Sequence, residues 1–170
     1  MSGVYDPYLT AEQVAQLGGE KGAVLDDLLW AADYVSVNCP HTAETRGMMG
    51  AREYALMQPH AYFITTAHGG IHDEAALAAA LTAGTIAGAG LDVWEDKPSP
   101  EHPLLHFGNG QVSPHTAGIT RQSRSKIARI AAEQMIDILD GKRPPRLLNP
   151  EVWPAYQERF QRILGVRPEA

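Results

Sequence analysis

Short runs of apolar and β-branched residues alternate, over most of the 170-residue chain, with stretches whose apolar positions recur every three or four residues. That alternation marks an α/β protein, in which a parallel sheet is covered by helices. Gly3-Val4-Tyr5 looks like the end of a strand left at Asp6-Pro7-Tyr8, and Thr10 with Gln13 forms the capping pair of a short helix. Residues 25–32 predict a second helix, residues 34–38 a strand ended by Pro40, and residues 50–57 a helix stopped by Pro59. The run 61–66 is a β-branched and aromatic strand, and Asp73 caps a helix that continues to Ala83 and ends at Gly84. Residues 86–93 and 111–113 predict two further strands, separated by an acidic, proline-rich loop from Glu95 to Pro103. Ile127, Ile130, Ala131, Met135, Ile138 and Leu139 then recur at helical spacing in the longest helix, over 119–139, before Gly141 stops it. A tail with Pro144-Pro145 leads to a last helix over 151–164, where Trp153, Tyr156 and Phe160 form one apolar face in need of a surface.

Composition changes this picture little. With 44% hydrophobic and 20% charged residues a packed core is expected rather than a disordered chain. The net charge of -6 gives no electrostatic reason to approach nucleic acid or an anionic membrane, so neither is expected as a partner. Cys39 is the single cysteine and forms no internal disulfide, which points to a reducing compartment, the cytoplasm. Met1 to Tyr5 shows no basic stretch followed by an apolar run, so no secretory signal is expected there. The weakly polar stretch from Ala75 to Leu91 is too interrupted by threonine and glycine to span a membrane.

Three segments carry chemistry, in this order: Thr42-Ala43-Glu44-Thr45-Arg46-Gly47-Met48-Met49-Gly50; Phe63 to Leu77; and Ala87 to Val93 with Ser113-Pro114-His115-Thr116-Ala117-Gly118. Together they resemble the D-2-hydroxyacid dehydrogenases, the family of glycerate, phosphoglycerate and glyoxylate/hydroxypyruvate enzymes, over roughly residues 34 to 150. The resemblance implies an oxidoreductase in which a Rossmann domain binds NAD and a second domain closes over a small 2-hydroxy or 2-oxo acid. Residues 1–140 are then expected to form a partial NAD-binding domain, an incomplete Rossmann-like parallel sheet flanked by helices. Residues 141–170 would be a helical tail returning to the substrate domain.

In such a domain the first strand and its Gly-x-Gly-x-x-Gly turn precede the acidic residue of the second strand by about 20 residues. Only five residues stand before Asp6, and neither Gly88-Ala89-Gly90 nor Gly108-Asn109-Gly110 has the third glycine. The chain is therefore expected to be a piece of a longer protein. The absent strand is central in the order 3-2-1-4-5-6, so a split sheet without the pyrophosphate cradle is expected too.

By the same resemblance His115 is the acid/base residue that exchanges a proton with substrate oxygen. His68 stands where the family has an arginine that clamps the substrate carboxylate in a two-pronged contact, which a neutral imidazole cannot reproduce. Lys97 stands where the family has a glutamate that keeps the histidine basic, and an ammonium there has the opposite effect. Asp6, with Pro7, matches the acid that accepts the adenosine ribose hydroxyls and favours NAD over NADP. Asp92 matches the aspartate near the nicotinamide, and Cys39, Pro40, Thr45, Thr66, Ala67, Ala117 and Gly118 are assigned to the cofactor groove. No metal is expected, although His68 and His72 would share a face if their loop were helical.

Two functions from different classes follow. One is part of an NAD-dependent 2-hydroxyacid dehydrogenase, impaired by its two replaced residues. The other is a non-catalytic remnant or an NAD-sensing protein-interaction module. A homodimer is expected in either case, since the family associates through the nucleotide domain and an unpaired strand edge seeks a partner.

Overall fold

A computed structural model describes residues 2–168 of the chain. Its strands are β1 (Gly3–Val4), β2 (Glu20–Lys21), β3 (Tyr34–Val37), β4 (Tyr62–Thr65), β5 (Gly88–Leu91) and β6 (Gly110–Val112). Its helices are α1 (Ala11–Gln16), α2 (Leu25–Ala31), α3 (Ala51–Leu56), α4 (Glu74–Ala83), α5 (Arg121–Leu139) and α6 (Trp153–Leu164), with single 3-10 turns at Pro103–Leu105 and Pro150–Val152. The expected elements all form; most are trimmed by a residue or two at their ends, α4 runs to Ala83 as expected, and β6 lies one residue earlier than expected. β2 was not anticipated, because two residues are too few to show a period of two.

The strands make two parallel sheets: a pair β1-β2 and a four-stranded sheet ordered β3-β4-β5-β6. β1 and β3 are not paired with each other, which is the split expected of a Rossmann sheet without its central first strand. In the four-stranded sheet the register runs Tyr34 to Tyr62 to Gly88, so one face carries Val35, Val37, Phe63, Thr65, Ala89 and Leu91. All six are buried, and with Leu29 of α2, Tyr54 of α3 and Leu77 and Leu81 of α4 they build the core. On the opposite face Tyr34 and Tyr62 stack with ring centroids 5.7 Å apart. Gly88 completes that row: an added Cβ would lie 2.4 Å from the Asn109 carbonyl oxygen and 2.8 Å from the Tyr62 ring.

Local capping explains the helix boundaries. Thr10 and Gln13 form the reciprocal capping pair on α1, with Gln13 N–H donating to Thr10 Oγ1 at 3.2 Å. Asp73 Oδ1 accepts the Ala76 N–H at 2.9 Å to start α4, and Gly84 in the left-handed region (φ 67°) ends it.

The chain divides into two compact units after Ala117, so the 140/141 boundary expected from the sequence falls inside the second of them. In that second unit α6 lies on the end of α5: the Tyr156 hydroxyl donates to the Ile138 carbonyl, and Phe160 covers Gly141, where an added Cβ would be 3.0 Å from the ring. Trp153 stacks on Tyr156 at 4.7 Å and Tyr156 meets Phe160 at a tilt at 5.7 Å, so the apolar face expected of this helix lies against the end of α5. The long α5 differs. It forms as the periodicity requires, yet none of its residues is buried, and Ile127, Met135, Ile136 and Leu139 remain exposed. An amphipathic period states that a helix needs a partner surface, not that one is supplied.

Candidate active site at the strand ends

In an open parallel sheet the loops leaving the carboxyl ends of the strands are where ligands bind. His68 follows β4, Lys97 follows β5 and His115 follows β6, three adjacent strands in register, so their loops leave the same edge. Backbone packing brings these loops together. An added Cβ on Gly69 would lie 1.8 Å from the Trp94 carbonyl oxygen, so only glycine lets the first loop rest on the second. The Trp94 indole N–H donates to the Ser113 carbonyl at 3.2 Å, tying the second loop to the third. His68, Lys97 and His115 are all exposed around this junction.

The first loop is an extended turn, not a helix. Gly47 N–H donates to the Gly70 carbonyl at 2.8 Å and Met49 N–H to the Ile71 carbonyl at 3.1 Å, and Met49 bridges to His72. His68 and His72 therefore do not share a helix face: the first faces solvent, while the second is buried beside Phe63 at 5.9 Å between ring centroids. Neither ring nitrogen of His72 has a hydrogen-bond partner, and burial pushes its imidazole below the ordinary histidine value.

Asp92 organises the turn that carries His115. Its Oδ1 accepts the Ser113 hydroxyl at 2.6 Å and the Thr116 N–H at 2.7 Å, and its Oδ2 accepts the Ala117 N–H at 2.9 Å. Burial alone would raise this carboxyl, but the Ser113 hydroxyl, the two amides and the neighbouring His115 hold it below the usual carboxylate range. Between these anchors His115 adopts φ 58°, the only non-glycine in the left-handed region among the described residues. That conformation costs roughly 1–2 kcal/mol. Three hydrogen bonds to a charged acceptor, each worth about 1.5–3 kcal/mol, offset it. Sequence reasoning placed Asp92 only against the nicotinamide and gave Ser113 no role, although the serine sits inside the quoted Ser-Pro-His motif.

The residues assigned to the adenosine ribose and to the cofactor groove follow strands of both sheets. Asp6 follows β1, where its Oδ1 accepts the N–H groups of Tyr8 at 2.8 Å and Leu9 at 3.2 Å, leaving Oδ2 without a hydrogen bond from the described residues. The Tyr8 hydroxyl donates to Glu44 at 2.6 Å, and Pro7 is exposed. Cys39 and Pro40 follow β3, and burial raises the Cys39 thiol above its ordinary value. The Thr45 hydroxyl donates to the Pro40 carbonyl at 2.7 Å. Thr66 is exposed beyond β4, Ala67 is half-buried, and Gly118 begins the second unit. These groups fit the two ends of a dinucleotide, a free carboxylate oxygen for ribose hydroxyls and polar strand-end loops for the nicotinamide. No glycine-rich turn opens a helix between them among the described residues. No cluster of three or more histidine, cysteine, aspartate or glutamate side chains among those residues is arranged to hold a metal.

A family model described as D-isomer specific 2-hydroxyacid dehydrogenase, NAD binding domain, matches residues 3–117. The chain belongs to that family. The match ends where the first compact unit ends. Among curated relatives, a glyoxylate reductase of Aeropyrum pernix is 42% identical over 146 residues, which is 85% of this chain and 43% of that protein. A D-3-phosphoglycerate dehydrogenase of Archaeoglobus fulgidus is 38% identical over 138 residues, 81% of this chain and 26% of that protein. Among solved structures, the NAD complex of a D-isomer specific 2-hydroxyacid dehydrogenase from Lactobacillus delbrueckii ssp. bulgaricus superposes with a TM-score of 0.78. Its identity is 28%, covering 86% of this chain and 48% of that one. The chain thus spans less than half the length of these relatives. No helix among its described residues is long and apolar enough to cross a membrane.

Proposed function

We propose that the chain is the NAD-binding part of a cytoplasmic enzyme that moves hydride between NAD and a small D-2-hydroxy or 2-oxo acid, with His115 as its acid/base residue. The observation that carries this proposal is the Asp92 clamp, which holds His115 in a strained, exposed turn at the junction of three strand-end loops. Strain maintained against solvent on an exposed imidazole has a physical rationale if the side chain must be presented to a ligand. NAD, when bound, supplies the hydride acceptor or donor. The residues of this chain handle the rest: His115 takes or returns the proton of the substrate oxygen, Asp6 receives ribose hydroxyls, and Thr45, Thr66 and Ala67 line the groove with Cys39 and Pro40. Asp92 holds the backbone turn that presents the histidine.

His68 and Lys97 make the activity weak. A single imidazole ring replaces a two-pronged arginine contact, and two charge-assisted hydrogen bonds of about 1.5–3 kcal/mol each correspond to roughly two to four orders of magnitude in rate. A homodimer is the proposed assembly, since the family associates through the nucleotide domain. A second proposal, that the protein binds NAD without turnover and acts through a protein partner, is favoured by the same two replacements.

A chimera separates the two. The whole region of the Aeropyrum pernix relative that precedes the matched residues, which restores the first strand, the glycine turn and the substrate-side residues together, is joined ahead of Ser2, and NADH oxidation is followed with glyoxylate, hydroxypyruvate and pyruvate. Slow turnover abolished by His115→Ala supports the enzyme. Tight NADH binding without turnover supports the second proposal, and turnover unaffected by His115→Ala rejects the role of the histidine.

A further inference from the structure

Glu74 opens α4, directly after the Asp73 cap, and its carboxylate reaches out of the helix to two points on a different loop. Its Oε1 accepts the Glu95 N–H at 2.7 Å, and its Oε2 meets His102 Nε2 at 3.1 Å. Glu95 and His102 are the two ends of the acidic, proline-rich segment that contains Lys97, so one carboxylate fastens both ends of that loop. The pairing is well defined. Leu104 N–H points at His102 Nδ1 at 3.4 Å, which leaves Nε2 as the nitrogen that carries the proton to Glu74. The His102 ring also stands edge-on to Trp94 at 5.4 Å, and both side chains of the pair are largely shielded, with exposures of 23% and 15%. From Glu95 the connection runs through one peptide to Trp94, whose indole donates to the Ser113 carbonyl, two residues before His115.

We propose that Glu74 is a positioning residue for the His115 turn, acting through Glu95, His102 and Trp94, and not merely a staple for a surface loop. Its catalytic consequence rests on the function proposed above for His115, but its physical core does not. Removing the carboxylate frees both ends of the loop at once, lets Trp94 swing, and withdraws the Trp94 bond from Ser113, so the amides that grip Asp92 lose one side of their support. The helix itself keeps its Asp73 cap.

Residue-resolved amide hydrogen exchange on the whole chain tests this. Glu74→Ala is expected to speed exchange at Glu95, Thr116 and Ala117 at least tenfold and to shift the Trp94 indole resonance, with the Leu77 and Leu81 amides of α4 unchanged as the control for folding. Glu74→Gln retains a carbonyl acceptor for Glu95 and is expected to stay within about threefold of wild type at Thr116 and Ala117. Opening at Glu95 with no change at Thr116 and Ala117 overturns the proposal, as does equal loosening by both variants. If α4 loosens in Glu74→Ala, His102→Ala, which cuts one tether and leaves the helix intact, decides by the same three amides. In the chimera, Glu74→Ala is expected to lower kcat at least tenfold with KM for NADH within twofold. An active chimera whose kcat Glu74→Ala leaves unchanged also overturns the proposal. A chimera with no turnover at all removes the enzymatic role of His115, while the exchange results still judge the link from Glu74 to its turn.

Discussion

Replacing Asp92 by asparagine tests the clamp at the centre of the site, because the two side chains match in shape and differ in charge and in one acceptor. With its carbonyl at the Oδ1 position, asparagine keeps the bonds from Ser113 and Thr116 but sets an amide N–H2 against the Ala117 N–H, which is 2.9 Å from Oδ2 in the wild type. One charge-assisted bond of about 1.5–3 kcal/mol is lost, and the other two fall to neutral strength, about 1 kcal/mol less each. The lower desolvation cost of a neutral amide and relaxation of the His115 backbone, roughly 1–2 kcal/mol, return part of this. A net destabilisation of about 2–3 kcal/mol is expected at pH 7, and a midpoint lower by about 4–12 °C for a chain of this size. The pH dependence has a fixed sign. Asp92 is held below the usual carboxylate range in the folded chain, so its contribution is complete above the ordinary aspartate value, near 4, and is lost as pH falls through the native one. The gap between wild type and Asp92→Asn should therefore be constant from pH 7 to 5 and narrow toward pH 3. Urea unfolding followed by the backbone amide signals of β4 and β5 measures it. Equal stability at pH 7, or a gap undiminished at pH 3, would refute the clamp.

Three further perturbations address other parts of the fold and site. His72 has a lowered imidazole from burial and no partner for either nitrogen, so the unfolded chain takes up the proton first as pH falls below about 6.5. Stability should then drop by up to about 1.4 kcal/mol per pH unit between that point and the native value. His72→Leu should remove this slope and add about 1–3 kcal/mol at pH 6 by eliminating unsatisfied polar atoms; a slope unchanged from wild type between pH 7 and 5 counts against it. Gly69→Ala places a methyl group 1.8 Å from the Trp94 carbonyl oxygen and should cost about 1–3 kcal/mol by thermal unfolding, with new amide positions for Trp94 and Glu95. His68→Arg with Lys97→Glu in the chimera should raise kcat/KM for glyoxylate at least tenfold, and no gain would show that these positions do not face the substrate.

Much of the fold is legible in the residues because it is settled locally. Asp73 and Gly84 bracket α4, Thr10 and Gln13 bracket the start of α1, and Pro40, Pro59 and Gly141 stop what precedes them, each through backbone chemistry within a few positions. The split sheet was also foreseeable, since a strand order is a property of the family's topology and the first strand could be counted as missing from these residues. β2 escaped because a two-residue strand is made by pairing with β1 and leaves no period of its own.

By itself, then, the sequence determined the order of the helices and of every strand but β2, the family, and which residue types stand at the strand ends. It also announced the two replacements, His68 and Lys97, because each sits at a counted distance inside a recognisable motif. Only the tertiary structure decided how those positions are held. That Asp92 grips the turn of His115, that Gly69 must be small because Trp94 lies on it, and that His72 is buried while His68 is not, all depend on contacts between separate segments. Asp92 and Ala117 stand 25 positions apart in the chain and 2.9 Å apart at their bonded atoms. Such bonds exist only after β5 and β6 pair in register, and no local propensity encodes a distance across a sheet.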